Sequence, residues 1–156
     1  MDYAPHHQPD FEKLNRAWIE RDFRLEPIDK YVLTQPEEAI IKKGGAIFIA
    51  LYGGEVAGVV ALRKLEGGNF EFTKMAVDEK FRRKGIGEAL SLAAFNKARQ
   101  AGADKIILYS QSSLRPAIKL YEKLGFKQVP LETGTYERAD VRMELHLNEV
   151  FSSEAL

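Results

Sequence analysis

The sequence predicts an α/β (α+β) protein, a mixed and mostly antiparallel sheet flanked by helices. Three observations predict it. Residues 46–52, 56–65 and 70–77 are strand-like runs separated by Gly53-Gly54 and by Gly67-Gly68-Asn69, the pattern of an antiparallel meander. Residues 87–101 and 114–124 read as helices and stop at Gly102 and Gly125, in keeping with glycine as a C-terminal breaker. Between them, residues 105–110 form a short apolar run suited to a buried strand.

The remaining elements follow in order. Residues 1–8 carry no clear pattern and read either as a short strand or as a loose end. Pro9-Asp10 opens a helical pattern with Phe11, Leu14 and Trp18 on one face, a stripe most simply explained by core packing. Residues 25–29 are expected to be a loop, because the residue before Pro27 avoids helical dihedrals. A second short helix is expected over residues 36–43, ending at Gly44-Gly45. Ser112 and Ser113 can cap the helix after residues 105–110, with Pro116 tolerated in its first turn. Residues 126–131 and 141–147 make a last hairpin around the polar loop 132–140, and residues 151–156 are expected to be a mobile tail.

At 156 residues the chain fits one domain, with 45% hydrophobic residues, an ordinary globular content. Acidic and basic residues cancel at 23 each, so no global field draws the chain to nucleic acid or a membrane. The absence of cysteine excludes disulfides, thiolate metal sites and a cysteine nucleophile. His6, His7 and His146 lack metal-ligand spacing, so no metal is expected; an exposed end and a strand face explain them. No signal-peptide pattern opens the sequence, and its longest apolar run, residues 46–52, is far too short to span a bilayer. A soluble, cytoplasmic protein is the expectation.

The most informative stretch is Asp78-Glu79-Lys80-Phe81-Arg82-Arg83-Lys84-Gly85-Ile86-Gly87. It places Lys80, Arg82, Arg83 and Lys84 at the start of a helix, an end that already carries about half a positive charge. Free N–H groups of the first turn point the same way. Cations added to that end call for an anionic ligand, and Gly85 and Gly87 let a phosphate approach the main chain. A P-loop is excluded, since Gly87 is followed by Glu88-Ala89 rather than Lys-Ser/Thr. The dinucleotide fingerprint fails too, because its small third residue is replaced by Leu90.

Arg82-Arg83-Lys84-Gly85-Ile86-Gly87 resembles the Arg/Gln-x-x-Gly-x-Gly/Ala pyrophosphate loop of the GNAT superfamily of N-acetyltransferases. Downstream, Ala117-Ile118-Lys119-Leu120-Tyr121-Glu122-Lys123-Leu124-Gly125-Phe126 is similar to the helix ending in Leu-Tyr-Glu-Lys-Leu-Gly-Phe in many members. The resemblance covers residues 46–147 and implies the GNAT acyl-CoA N-acyltransferase fold, with coenzyme A in a splay between two central strands. It implies acetyl-CoA as donor and direct transfer to a primary amine acceptor, without a covalent enzyme intermediate. Backbone groups of Met75, Ala76 and Val77 would hold the pantetheine arm. Main-chain groups of Arg83, Lys84, Gly85, Ile86 and Gly87, with Glu88 next in line, would hold the pyrophosphate, neutralised by Arg82, Arg83 and Lys84. Gln111 would substitute for an asparagine that many members carry before the second helix.

Two catalytic roles follow from the resemblance. Glu71 is the candidate general base, expected on one strand face with Thr73, Met75 and Val77 while Phe70 and Phe72 take the other. An ion pair with a neighbouring strand's cation is the competing explanation. Tyr121 is the candidate general acid beside the coenzyme sulfur, against the alternative of a core tyrosine with a satisfied hydroxyl. Glu26 and Asp29 are expected to attract a cationic amine, and Tyr136, Arg138 and Asp140 to line its pocket or a polar surface loop. A homodimer is compatible with this reading. The rival from another class is a non-catalytic acyl-CoA-binding sensor. A nucleic-acid module using the same cations would lack interleaved exposed aromatics.

Overall fold

The computed structural model describes residues 1–131 and 139–147. Six strands form one sheet in the order β1-β2-β3-β4-β6-β5. They are β1 (Ala46–Tyr52), β2 (Glu55–Lys64), β3 (Phe70–Val77), β4 (Lys105–Ser110), β5 (Lys127–Val129) and β6 (Val141–His146). Only β3 and β4 run parallel; every other neighbouring pair is antiparallel. Helices α1 (Gln8–Asp22) and α2 (Pro27–Thr34), with a π-helical turn at Glu37–Ile41, precede the sheet in sequence. The helices α3 (Ile86–Gln100) and α4 (Arg115–Lys123) flank β4 in sequence. The mixed sheet with flanking helices is the expected architecture.

Each sheet face has its own core. Phe11 of α1, Val32 and Leu33 of α2, and Ala39 and Ile40 pack on Ile47, Ile49, Val59, Ala61 and Ala76. On the other face Leu90, Ala94 and Phe95 of α3 pack on Val60, Leu62, Phe70, Phe72 and Ile106. Full burial of each such aliphatic or aromatic side chain is worth about 1.5–3 kcal/mol. The two clusters clamp the sheet from both sides and hold α1 and α3 to opposite faces.

Four local expectations are corrected. Pro27 begins α2 rather than sitting in a loop, because a proline at the first helical position sacrifices no helical hydrogen bond. Asp29 supports that start by accepting the Glu26 N–H at 2.9 Å. Of the two readings of residues 1–8, the loose end fails at residues 1–3, which pair strand-like along the outer edge of β1 through Ile49 N–H to Met1 O at 2.8 Å and Tyr3 N–H to Ile47 O at 3.0 Å. His7 is buried, its Nδ1 accepting the Ala4 N–H at 2.9 Å. Neither Ser112 nor Ser113 caps α4, whose N-cap is Leu114. The Ser112 hydroxyl and N–H both go to Asp140, at 2.7 Å each. Among the described residues no helix is long and apolar enough to cross a membrane.

Gly58 of β2 lets the first turn of α3 lie against the sheet. A Cβ there would come within 3.0 Å of Ile86 Cγ2 and Leu90 Cδ1 and 3.2 Å of Ala76 O. Gly58→Val is therefore expected to destabilise the chain by about 1–3 kcal/mol through overpacking, read from the urea midpoint.

Candidate active site

Strands β3 and β4 part almost as soon as they meet. Their pairing is confined to Phe70 with Ile106 and Glu71 with Ile107. Beyond that point β3 stays paired to β2 as far as Val77, and β4 to β6 as far as Ser110. The facing edges then enclose a groove, since they no longer pair with each other. This is the expected splay.

A cavity of about 390 Å³ occupies it. Residues 72–75 of β3 and 108–111 at the end of β4 form its two sides. Trp18, Asp22 and Phe23 close it from the end of α1, and Pro116, Ala117 and Tyr121 from α4. Arg82 reaches it from the loop before α3. The Trp18 of the packing stripe thus has two jobs: it packs beside Phe11 and it lines the cavity.

The loop preceding α3 has the cradle geometry. Gly85 is the N-cap at φ 75°, a left-handed conformation that glycine adopts without steric cost, and Arg83 is also left-handed at φ 64°. No side chain caps α3, so the N–H groups of its first turn keep their helical direction. The four cations are not equivalent. Lys80 pairs with Glu55 at 3.1 Å, and Lys84 lies 5.0 Å above the Tyr52 ring. Arg82 and Arg83 are exposed, the former at the cavity. Glu88 makes a 3.2 Å salt bridge to Lys123, joining α3 to α4. A Cβ on Gly87 would stand 3.6 Å from Leu120 and 3.9 Å from Met75, ordinary contact distances. Packing alone therefore does not require a glycine here.

The expected single face for Glu71, Thr73, Met75 and Val77 is corrected by a bulge. Val59 and Ala61 of β2 are two residues apart, but their partners Ala76 and Thr73 are three apart. One extra residue shifts the alternation. Glu71 and Thr73 consequently share the face of Ala61, toward α1, whereas Met75 and Val77 join Phe70 and Phe72 toward α3. Glu71 is 1% exposed and pairs with Arg63, its cross-strand partner, through Arg63 Nη2 to Glu71 Oε1 at 2.7 Å and Nε to the same oxygen at 2.8 Å. It is not among the residues lining the cavity.

Tyr121 does line it. Its ring meets Phe72 and Phe126 edge-on at centroid distances of 6.0 and 5.9 Å. Burial pushes the phenol up to about 12. It therefore stays protonated throughout the neutral range, with its O–H available as a donor. Gln111 lines the same cavity, and its side-chain oxygen accepts the Ser113 N–H at 2.8 Å. Met75 lies in the wall; Ala76 and Val77 continue β3 beyond it.

Asp29 is corrected as an acceptor anchor. Its side chain is fully buried, with Lys74 Nζ 2.8 Å from its Oδ1, and neither Asp29 nor Glu26 lines the cavity. Asp140 is held by Ser112 beside the cavity-lining Ala139, while Tyr136 and Arg138 lie outside the described residues. Among the described residues, no three His, Asp or Glu side chains are placed to hold a metal.

The sequence pattern of the acetyltransferase (GNAT) family matches residues 10–126. The chain belongs to this family. The Bacillus subtilis protein YvbK, described as an uncharacterized N-acetyltransferase, is 34% identical over 102 residues, covering 64% of this chain and 66% of YvbK. The match thus spans just under two-thirds of that relative's length. A GNAT-family acetyltransferase from Staphylococcus aureus shares the fold at a TM-score of 0.85 and 17% identity, over 94% of this chain and 97% of its own. A Bacillus subtilis acetyltransferase solved with CoA superposes at a TM-score of 0.60 and 29% identity, over 76% of this chain and 81% of its own.

Within the GNAT frame, sequence reasoning missed Asp22, Phe23, Thr73, Lys74 and Tyr109 as cavity residues. Asp22 and Phe23 end α1, and only the fold brings that end over the splay. Lys74 and Thr73 were visible as strand residues, but the bulge that redirects them has no glycine to announce it.

Asp140 supplies a titration test beside the site. Hydrogen bonds from the Ser112 hydroxyl and N–H hold its carboxyl below the ordinary 3.8. A depressed folded value stabilises the fold at pH above about 3.8 and loses that contribution as pH falls through it. Ser112→Ala is expected to raise the Asp140 midpoint toward 3.8, read by carboxyl-carbon NMR.

Proposed function

We propose that this chain is an N-acetyltransferase that moves an acetyl group directly from acetyl-CoA to a primary amine. The observation that carries the reading is the continuity of the α3 N-terminus with the β3–β4 groove. An uncapped, cation-flanked helix start suits a diphosphate. Past Glu71 and Ile107 the two strand edges no longer pair with each other, and the gap between their polar main chains suits an amide-rich pantetheine arm. Coenzyme A joins those two chemistries in one molecule.

In the proposed arrangement the main chain of residues 83–88 holds the pyrophosphate, with Arg82, Arg83 and Lys84 supplying charge. Met75, Ala76 and Val77 hold the arm, and Gln111 approaches it from the β4 side. The thioester then lies near Tyr121, and the amine enters from Trp18, Asp22 and Phe23 at the end of α1. Positioning carries much of the rate, because fixing two reactants converts a bimolecular step into an intramolecular one.

Tyr121 donates a hydrogen bond to the departing sulfur. Outright proton transfer from a phenol near 12 to a thiolate with pKa about 8.5 would run uphill by roughly 5 kcal/mol. Glu71 is assigned proton removal from the acceptor ammonium through water. It lies where the strands part and on the face of α1. Its ion pair with Arg63 is the competing role, and mutation separates the two.

Calorimetry at moderate ionic strength is expected to show coenzyme A binding, and Arg83→Glu to weaken it by about tenfold or more. Free thiol should be released when acetyl-CoA is offered with pooled amines, amino acids or peptides. Binding without release for any acceptor would instead identify an acyl-CoA sensor. No binding would remove the assignment.

Tyr121→Phe is expected to lower kcat by about 10–100-fold with the KM for acetyl-CoA unchanged. Glu71→Gln should lower kcat by about 100-fold or more in the folded enzyme, in addition to whatever thermal stability is lost with the Arg63 pair. A fall in thermal stability with kcat intact would assign Glu71 to the Arg63 ion pair alone.

A further inference from the structure

Lys74 holds a backbone conformation that lysine avoids, φ 55°. It sits within the β3 bulge, between Thr73 and Ala76, whose partners on β2 are one residue closer together. A left-handed non-glycine residue persists only where its surroundings over-determine it. Here Lys74 Nζ lies 2.8 Å from Asp29 Oδ1, the two side chains being 2% and 0% exposed. The other Asp29 oxygen accepts the Glu26 N–H. One carboxylate thereby ties the start of α2 to β3 at the place where β3 leaves β4.

A buried ion pair is a weak source of net stability, because desolvating both ions costs about what their attraction returns. Fixing one arrangement among several is the better-attested use. The arrangement at stake here is specific. Without the extra residue, alternation would carry Met75 and Val77 off the α3 face where they pack. The strand edge along the groove would be re-aimed with them.

We infer that the Lys74–Asp29 pair is a positioning device that holds Lys74 left-handed and so maintains the bulge that aims β3 into the coenzyme groove. This rests on reading the groove as the coenzyme A site. The pair acts through the backbone.

Two double variants test it, each removing both charges so that no lone buried ion remains. Lys74→Gly/Asp29→Asn frees the backbone to adopt the bulge unaided. Lys74→Met/Asp29→Asn keeps the aliphatic stem but not the support. Asparagine can still accept the Glu26 N–H in both. Calorimetric affinity for coenzyme A is expected to stay within about threefold of the unsubstituted chain in the glycine variant, and to fall about tenfold in the methionine variant. Unchanged affinity in both variants would overturn the inference and leave the pair a purely structural contact. Equal weakening in both would also overturn it, since glycine restores the conformation. If the methionine variant does not fold, the glycine variant decides alone: near-normal affinity supports the inference and a tenfold loss overturns it. Failure of the unsubstituted chain to bind coenzyme A would remove the groove reading and this inference together.

Discussion

The whole site depends on β3 having two neighbours and pairing along its full length with only one of them. Its pairing with β2 runs from Phe70 to Val77, while its pairing with β4 stops after Glu71. The opening survives because each side of it is anchored elsewhere. β4 is bound along its full length to β6, and both strands are gripped by the core under α3. The groove is therefore a rigid feature of the sheet, and the cavity follows from it.

The second constraint is electrostatic. A cationic cluster at a positive helix end would be self-repelling if all four charges converged on one point. The structure distributes them. Lys80 is drawn back to Glu55 on the opening residue of β2, and Lys84 folds over Tyr52, leaving Arg82 and Arg83 nearest the open helix start. Arg21 at the end of α1 reaches Glu79 at 3.0 Å, tying the wall of the cavity to the same loop. These exposed pairs contribute little stability. What they do is set which cations remain for a ligand.

Most of the architecture was legible in the sequence because it rests on local signals. Gly53-Gly54, Gly102 and Gly125 punctuate it, and Arg82 to Gly87 marks the cradle by composition alone. What was not legible has one physical origin: alternatives that are locally equal and decided by tertiary contacts. Glu26-Pro27 reads as a loop by the dihedral preference before proline, and the hydrogen bond from Glu26 N–H to Asp29 makes it a helix start instead. Ser112 is a natural cap, but Asp140 competes for its hydroxyl and wins. Strict alternation placed Glu71 beside Met75, whereas Lys74 breaks the phase with a conformation no sequence rule expects of lysine. Asp29, an exposed acid by composition, is buried because that same lysine is waiting for it.

The bulge also gives the proposed transfer its geometry. By changing phase in mid-strand, β3 sends Met75 and Val77 to the face of α3, where the cradle is, and leaves Glu71 and Thr73 on the face of α1. In the proposed arrangement one strand thus presents a donor side and an acceptor side, joined through the gap where β4 has departed. An acetyl group carried on a flexible arm through that gap meets an amine arriving from the opposite face. On the proposed reading Tyr121, which lines the cavity, would stand at the meeting point, its phenol kept protonated by burial beside the Phe72 ring. Direct transfer needs no nucleophile from the protein in this layout, which is consistent with a chain that has no cysteine to offer.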